Sequence, residues 1–330
     1  MGGGREVLVL GARGSLGALC VEAFRASGWR TVAASRRAAP GFRQLDLTEP
    51  DTAAPAIAQA DVVVNTVPDP RLGAERLVLR DGGVLINLSA MPAASATELR
   101  SDAGPARGAV LMNAGVAPGV TNLLAADLVA AHPDADELEM VFTISAASTA
   151  GPAGASFVHR GLTGRVHHRT TTVTLPAPFG ARRCLGFAEP DGGWLTGTNP
   201  AVRPYVCFSE PGLARLMLAL NGARLLSRLP RAALRSRPLR GDRAASSEPV
   251  AHWVAAYRDG RRLGVRTLEG TGDYRMAAAS AVVFADALLG LPALAPGVHN
   301  PEELFTLPRL RGPLSEAGIR TVEHTVSAPA

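Results

Sequence analysis

The feature that most constrains this chain is a glycine-spaced turn close to its start. Val7-Leu8-Val9-Leu10 is an unbroken aliphatic run, and it ends at Gly11-Ala12-Arg13-Gly14-Ser15-Leu16-Gly17. A continuous run of this kind suits a strand covered on both faces. The pattern over 15–27 has helical spacing and stops at Gly28, a residue suited to a helix C-terminus. Glycines at 11, 14 and 17 let the backbone of a strand-to-helix turn approach a pyrophosphate. They also leave the N–H groups and positive dipole end of the helix facing that anion. A glycine-rich turn can be no more than a tight turn, but this one follows a strand, opens a helix and heads a series of similar units. It is read as a dinucleotide-binding turn carried by Gly11, Arg13, Gly14, Ser15, Leu16 and Gly17.

The series continues with short apolar runs over 31–34, 42–47, 61–65, 83–87 and 109–113, with helix-like stretches among them. Strands alternating with helices imply β-α-β units and a doubly wound parallel sheet. The 330 residues suggest two domains at roughly 150 residues each. With 47% hydrophobic residues, the chain can bury substantial cores.

The end of the second strand separates the two nicotinamide dinucleotides. An NAD site needs an acidic residue there to bind the ribose 2′-hydroxyl. This chain has Ala34-Ser35-Arg36-Arg37 instead, with no carboxylate before Asp46. Arginine beside a hydroxyl suits a 2′-phosphate, which accepts charge-assisted bidentate bonds. Ser35, Arg36 and Arg37, helped by Arg13, are therefore read as an NADP(H) site, although two arginines in an arginine-rich chain can also be surface residues. Asp46 and Leu47 are placed to border the adenine. Asn65-Thr66-Val67-Pro68 and Ser89 fall at successive strand ends, the edge where ligands sit in open α/β sheets.

Composition removes several chemistries. All 34 basic residues are arginine. Without lysine there is no Schiff-base nucleophile, no Walker A loop and no Tyr-x-x-x-Lys pair of the short-chain dehydrogenases. Cys20, Cys184 and Cys207 are too scattered for a disulfide framework or a zinc site, so no metal is expected. No apolar run approaches the roughly eighteen residues of a membrane span, and the N-terminus lacks a signal-peptide layout. A cytoplasmic protein with no membrane partner is expected. The net charge of +5 raises nucleic acid as a partner, but the arginines are spread widely, and none is expected.

Taken together, the glycine loop, Ser35-Arg36, Asp46-Leu47-Thr48 and the Val62–Thr66 strand resemble the saccharopine dehydrogenase-like (saccharopine reductase-like) family. So do Ala114-Gly115-Val116-Ala117-Pro118-Gly119-Val120-Thr121-Asn122, similar to the family's Pro-Gly-x-x-Asn helix start, and Gly272-Asp273-Tyr274-Arg275. Pro296-Gly297-Val298 and Pro301-Glu302-Glu303-Leu304-Phe305 resemble its tail. The resemblance covers residues 5–125 and 270–322. It implies a Rossmann nucleotide-binding domain built from both chain ends, here 1–125 and 270–330. Between them it implies an inserted α+β domain, 126–269, for substrate binding and homodimerisation. It further implies hydride transfer between a nicotinamide and a small molecule, often at a carbon–nitrogen bond.

The middle of the chain is read from its own residues. A half-buried strand is expected over 138–145, a short helix over 156–160 and a threonine-rich strand over 166–175. Strands over 250–257 and 262–268 are expected to join through Asp259-Gly260, giving a mainly antiparallel sheet. Leu213, Leu216, Met217, Leu220, Leu225 and Leu229 suggest one core-packed helix, followed by an arginine-rich loop reaching Arg243.

His159 and Tyr274 are the candidate proton donors, each with an ordinary packing alternative. Arg160 is suited to a substrate carboxylate, and Pro118, Gly119 and Asn122 are expected to face the substrate. No segment carries an acidic cluster suited to an amine. These readings amount to an NADP(H)-dependent oxidoreductase working in the reductive direction. The alternative is a silent NADP(H) binder acting as a redox sensor or scaffold.

Overall fold

The structure, a computed structural model, describes residues 4–89, 93–102, 104–145, 152–164, 168–188, 200–230 and 248–324. The chain begins with β1 (Glu6–Leu10), α1 (Ser15–Ala26), β2 (Arg30–Ser35), β3 (Arg43–Gln44), α2 (Pro50–Gln59) and β4 (Val62–Asn65). There follow α3 (Gly73–Asp81), β5 (Val84–Asn87), α4 (Ala93–Asp102), β6 (Ala109–Leu111) and α5 (Val120–Ala131). The middle comprises β7 (Glu137–Ile144), α6 (Pro152–Thr163), β8 (Thr170–Leu175), β9 (Gly180–Gly186), β10 (Ala201–Phe208) and α7 (Pro211–Gly222). After it come β11 (Pro249–Arg258), β12 (Arg261–Thr271), α8 (Asp273–Leu289), β13 (Gly297–His299), α9 (Pro301–Leu304), α10 (Leu307–Glu316) and β14 (Arg320–His324).

These elements divide into two units, Met1–Gly119 with Tyr274–Leu304, and Val120–Asp273 with Phe305–Ala330. The first holds a seven-stranded parallel sheet in the order β13-β6-β5-β4-β1-β2-β3. Read from β3 inward this is the 3-2-1-4-5-6 order of the Rossmann fold, with β13 added beyond β6. Every residue of β1 and β4 is buried, as their unbroken apolar runs require. Leu8, Leu10, Val63, Leu85 and Val110 of the sheet pack with Ala53, Ile57, Ala74, Leu77 and Val78 of α2 and α3.

The second unit holds a seven-stranded mixed sheet in the order β14-β12-β11-β7-β10-β9-β8. Only β7 and β10 run parallel; every other neighbouring pair is antiparallel. β11 and β12 form the expected hairpin. Asp259 at φ 50° and Gly260 at φ 74° are both left-handed, the conformation a two-residue type I′ turn needs. Gly264, paired with Ala256, has Leu128 and His132 of the α5 region over it, so α5 covers the face carrying His252, Val254 and Ala256. The alternate residues Ala251, Trp253 and Ala255 enter a separate core with Val141, Phe179, Cys184 and Cys207.

The structure departs from the expected boundaries in several places. Helix α5 groups wholly with the second unit, so residues 120–125 leave the first. Residues 305–324 leave it too, because β14 pairs antiparallel with β12 and α10 packs on α5 and β14. The expected 156–160 helix is the longer α6. His168 lies at φ 56°, and β8 starts only at Thr170; His167 is outside the described residues. The single helix expected over 213–229 stops at Gly222. Arg224 turns left-handed at φ 59°, and only a 3-10 turn, Leu226–Arg228, follows. Met217 and Leu226 are buried, whereas Leu216 and Leu225 stay 53% and 41% exposed. The arginine-rich segment from 231 to 247 lies outside the described residues.

Candidate dinucleotide site

The glycine turn is assembled from backbone alone. Gly11 leaves β1 at φ 75°, and a Cβ there would lie 2.7 Å from Thr66 Oγ1 and 2.8 Å from Val67 Cγ2. A Cβ at Gly17 would run into the Gly11 carbonyl oxygen, so α1 approaches the turn more closely than any side chain permits. Gly14 N–H donates to the Gly11 carbonyl at 2.8 Å, and Ala12 N–H to Ala34 O at 3.0 Å, tying the turn to β2. Helix α1 starts at Ser15 with no side-chain cap and no acidic residue in its first turn, so its N-terminal dipole is uncompensated by the chain. Arg13, Gly14 and Ser15 are exposed on this turn, while Leu16 is half-buried. Exposed backbone at an uncapped helix N-terminus is suited to an anion.

At the end of β2, Ser35 is buried and its Oγ donates to the Arg37 carbonyl at 3.0 Å, which shapes the bend carrying Arg36 and Arg37 outward. Both arginines are exposed. Asp46 accepts from Thr48 N at 3.0 Å and Thr48 Oγ1 at 2.8 Å. Those two bonds, and then the nearby Arg36 charge, hold its carboxyl below the usual carboxylate range. Leu47 packs against the core beside it.

The ends of β4 and β5 are organised by their last residues. Asn65 and Asn87 are each 1% exposed. Asn65 Oδ1 accepts from Val67 N at 2.9 Å, and Thr66 Oγ1 donates to the Leu10 carbonyl at 2.8 Å. Asn87 Oδ1 accepts from both N and Oγ of Ser89, each at 2.7 Å. The side-chain amide nitrogens of the two asparagines donate to one oxygen, Glu75 Oε1, at 2.7 and 2.6 Å. Glu75 escaped the sequence reading, since a glutamate in the first turn of a helix looks like an ordinary surface residue. Asn65, Thr66, Val67, Pro68 and Ser89 thus lie on adjacent strand ends of one sheet. Leu88 N donating to Asn65 O and Ala114 N donating to Asn87 O extend the linkage to the loop after β6.

The other candidates are dispersed. Pro118 and Gly119 end that loop, where Gly119 at φ 134° brings its backbone against Gly115. Asn122 is buried in the first turn of α5, in the second unit. Arg160 is exposed on α6. His159, also on α6, is engaged through Nε2 with the Leu229 carbonyl at 2.7 Å, joining that helix to the 3-10 turn. Tyr274 is half-buried in the first turn of α8. His159 and Tyr274 belong to different units.

An acidic recess, absent from the sequence reading, lies within the second unit. Thr143, Ser145, Ser209, Glu248, Pro249, Val250, Gly272 and Asp273 line a small recess with room for about one water molecule. Ser145 Oγ donates to Glu210 Oε1 at 2.7 Å. Burial, and secondarily the Glu248 charge, push the Asp273 carboxyl up to about 7. Its acids, Glu248 just before β11 and Asp273 at the start of α8, lie apart in the chain, so no local pattern announces it. Among the described residues no group of histidine, cysteine and carboxylate side chains is arranged to hold a metal, and no helix is long and apolar enough to cross a membrane.

The parallel sheet with its backbone-built glycine turn, joined in one chain to a mixed-sheet unit, defines a two-unit Rossmann fold. More particularly, it is the fold of saccharopine dehydrogenase. The apo saccharopine dehydrogenase (L-Glu forming) of Saccharomyces cerevisiae matches 98% of this chain and 100% of its own at TM-score 0.61 and 14% identity. An amine dehydrogenase from Mycobacterium smegmatis matches 93% of this chain and 97% of its own at TM-score 0.50 and 12% identity. At these identities the likeness establishes the fold, and at that level it agrees with the resemblance seen in the sequence. The NAD dependent epimerase/dehydratase family profile matches residues 7–78, from the first strand into α3. No curated protein matches by sequence.

Proposed function

We propose that this chain is an NADP(H)-dependent oxidoreductase acting on a small metabolite, with C=N the first candidate bond and C=O or C=C next, in the reductive direction. The observation that carries the reading is the glycine turn, where Cβ atoms at 11 and 17 would collide with Thr66, Val67 and the Gly11 carbonyl. A cradle kept free of side chains at a helix N-terminus is what a pyrophosphate needs. The family profile over 7–78 supports the same cofactor class. The exposed pair Arg36 and Arg37, with Arg13, supports the 2′-phosphate and hence NADP(H).

When bound, the nicotinamide supplies or accepts the hydride. The residues of the first unit hold the dinucleotide. Backbone N–H groups of 15–17 take the pyrophosphate, Arg36 takes the 2′-phosphate, Asp46 and Leu47 border the adenine, and the turns at 65–68 and 87–89 shape the nicotinamide end. The names of the two structural relatives, a saccharopine dehydrogenase and an amine dehydrogenase, accord with chemistry at a carbon–nitrogen bond. The chain is further proposed to work as a cytoplasmic homodimer.

The alternative, an NADP(H) binder without chemistry, is favoured by one observation: the Nε2 of His159, a candidate proton donor, is taken up by the Leu229 carbonyl. Titrating purified protein with NADPH and NADH, beside Arg36→Ala, tests the cofactor reading. Wild type is expected to prefer NADPH, and the variant to lose about tenfold in NADPH affinity, roughly 1.4 kcal/mol, with NADH affinity unchanged. Equal binding of both dinucleotides by wild type would remove the 2′-phosphate argument. Oxidation of bound NADPH across a panel of imines and oxo acids separates the enzyme from the silent binder.

A further inference from the structure

Glu75 has no place in the function argued so far, yet it is the most completely enclosed carboxyl in the first unit, with no exposed surface. Its helix start is built to hold it there. Asp69 accepts from Gly73 N at 2.9 Å through Oδ2 and from Arg71 N at 3.0 Å through Oδ1, anchoring the first turn of α3 two residues before Glu75. From that turn Glu75 Oε1 receives both asparagine amides, whereas Oε2 is buried with no hydrogen-bond partner. An amide side chain can sit either way round, and its orientation is decided by its neighbours. With each Nδ2 on Glu75, each Oδ1 must face the following backbone. There Asn65 takes Val67 N–H, and Asn87 takes Ser89 N–H and Oγ. A single oxygen therefore sets the hand of two turns.

We propose that Glu75 is the positioning residue of the dinucleotide site: by fixing both amides it holds the turns at 65–68 and 87–89 in register for the nicotinamide half of the cofactor. The inference rests on the reading that those turns border a nicotinamide. The interaction asks for one acceptor oxygen rather than for negative charge. Burial raises the Glu75 carboxyl above its ordinary range, and the nearby Asp69 charge adds to this. Glutamine, which keeps the acceptor and the shape, is accordingly the conservative replacement. Aspartate keeps the acid but withdraws it from the two amides.

The test compares wild type, Glu75→Gln and Glu75→Asp by two readouts. One is affinity for NADPH and for adenosine 2′,5′-bisphosphate, which carries the adenine half alone. The other is hydrogen exchange at the Val67 and Ser89 amides of the free protein. Glu75→Asp is expected to weaken NADPH tenfold or more, leave the bisphosphate within about twofold and speed exchange at both amides. Glu75→Gln is expected to match wild type throughout. Equal loss of both ligands in Glu75→Asp would reduce Glu75 to a general stabiliser and overturn the inference, as would unchanged NADPH binding. Should Glu75→Asp not fold, a loss in Glu75→Gln confined to NADPH would still overturn the acceptor argument, and wild-type behaviour would uphold it. Wild type that binds neither dinucleotide would sink the cofactor reading instead, and exchange at Val67 and Ser89 would still decide whether Glu75 holds the turns.

Discussion

The guanidinium of Arg266 meets the carboxylate of Asp127, Nε to Oδ2, at 2.8 Å, and a second nitrogen reaches Glu323 Oε1 at 2.9 Å. One side chain of β12, only 7% exposed, thereby ties α5 on one side and β14 on the other. Removing one partner of an enclosed ion pair leaves the other charge uncompensated, which costs more than the pair itself contributes. Asp127 is 18% exposed, so part of that cost is relieved by water. Arg266→Met is expected to lower stability by about 2–3 kcal/mol in urea unfolding. Adding Asp127→Leu should recover most of it. A double variant as unstable as the single one would show that packing, not stranded charge, is responsible.

Gly17→Ala is expected to reduce NADPH affinity tenfold or more, because the new methyl must displace the Gly11 carbonyl and open the turn. Gly28→Ala provides the contrast. It sits at φ 81° with nothing within 4 Å of an added Cβ, so it should cost about 1 kcal/mol of stability and leave dinucleotide binding unchanged. Calorimetric titration of both proteins separates backbone strain from loss of the cradle.

Two buried groups of the second unit should give stability opposite dependences on pH. Burial lowers His252 to about 4. Between that value and its unfolded value of about 6.5, only the unfolded chain carries the proton, so stability falls as pH drops through this window. Asp273, raised to about 7, keeps its proton in the folded chain over a range where the unfolded chain has lost it. Its contribution is full below about pH 4 and falls as pH rises towards 7. Each effect is on the order of 3 kcal/mol, so they largely oppose one another between about pH 4 and 6.5. Asp273→Asn should expose the histidine slope, with stability rising with pH. His252→Leu should expose the carboxyl slope, with stability falling. Urea midpoints at three pH values in the window decide it; variants that run parallel to wild type would contradict both assignments.

His159 should behave as a brace between α6 and the 3-10 turn. His159→Ala is expected to cost about 1 kcal/mol of stability, and His159→Gln, which can still reach the Leu229 carbonyl, much less. Once a substrate is in hand, turnover by His159→Gln should keep the wild-type pH profile. A changed pH profile in a variant whose stability is preserved would make His159 the proton donor after all.

What was legible in the sequence was whatever depends on neighbours along the chain. The unbroken run 7–10, the glycine spacing and the Asp259-Gly260 pair each dictate a local backbone, and each appears as expected. The rest is set by partners far away in sequence. Leu225 has the spacing of a buried stripe, but the helix ends before it at the left-handed Arg224 and it stays exposed. Residues 320–324 look like a continuation of the Rossmann tail, and only their pairing with 265–269 reveals them as an edge of the other sheet. Glu75 and the Asp273 recess were invisible for the same reason, since a buried carboxyl is defined by what surrounds it.

The placement of β14 has a consequence for how the protein is made. The mixed sheet lacks its outer strand until residues 320–324 leave the ribosome, about fifty residues after β12 is complete. At about 5–20 residues per second, that is a delay of roughly 2–10 seconds. Throughout it the β12 edge, 261–271, offers unpaired backbone to any passing strand, a hazard that a sheet closed by its own next segment would avoid. During that interval the β12 edge of the nascent chain is covered only when a chaperone or the arriving β14 reaches it.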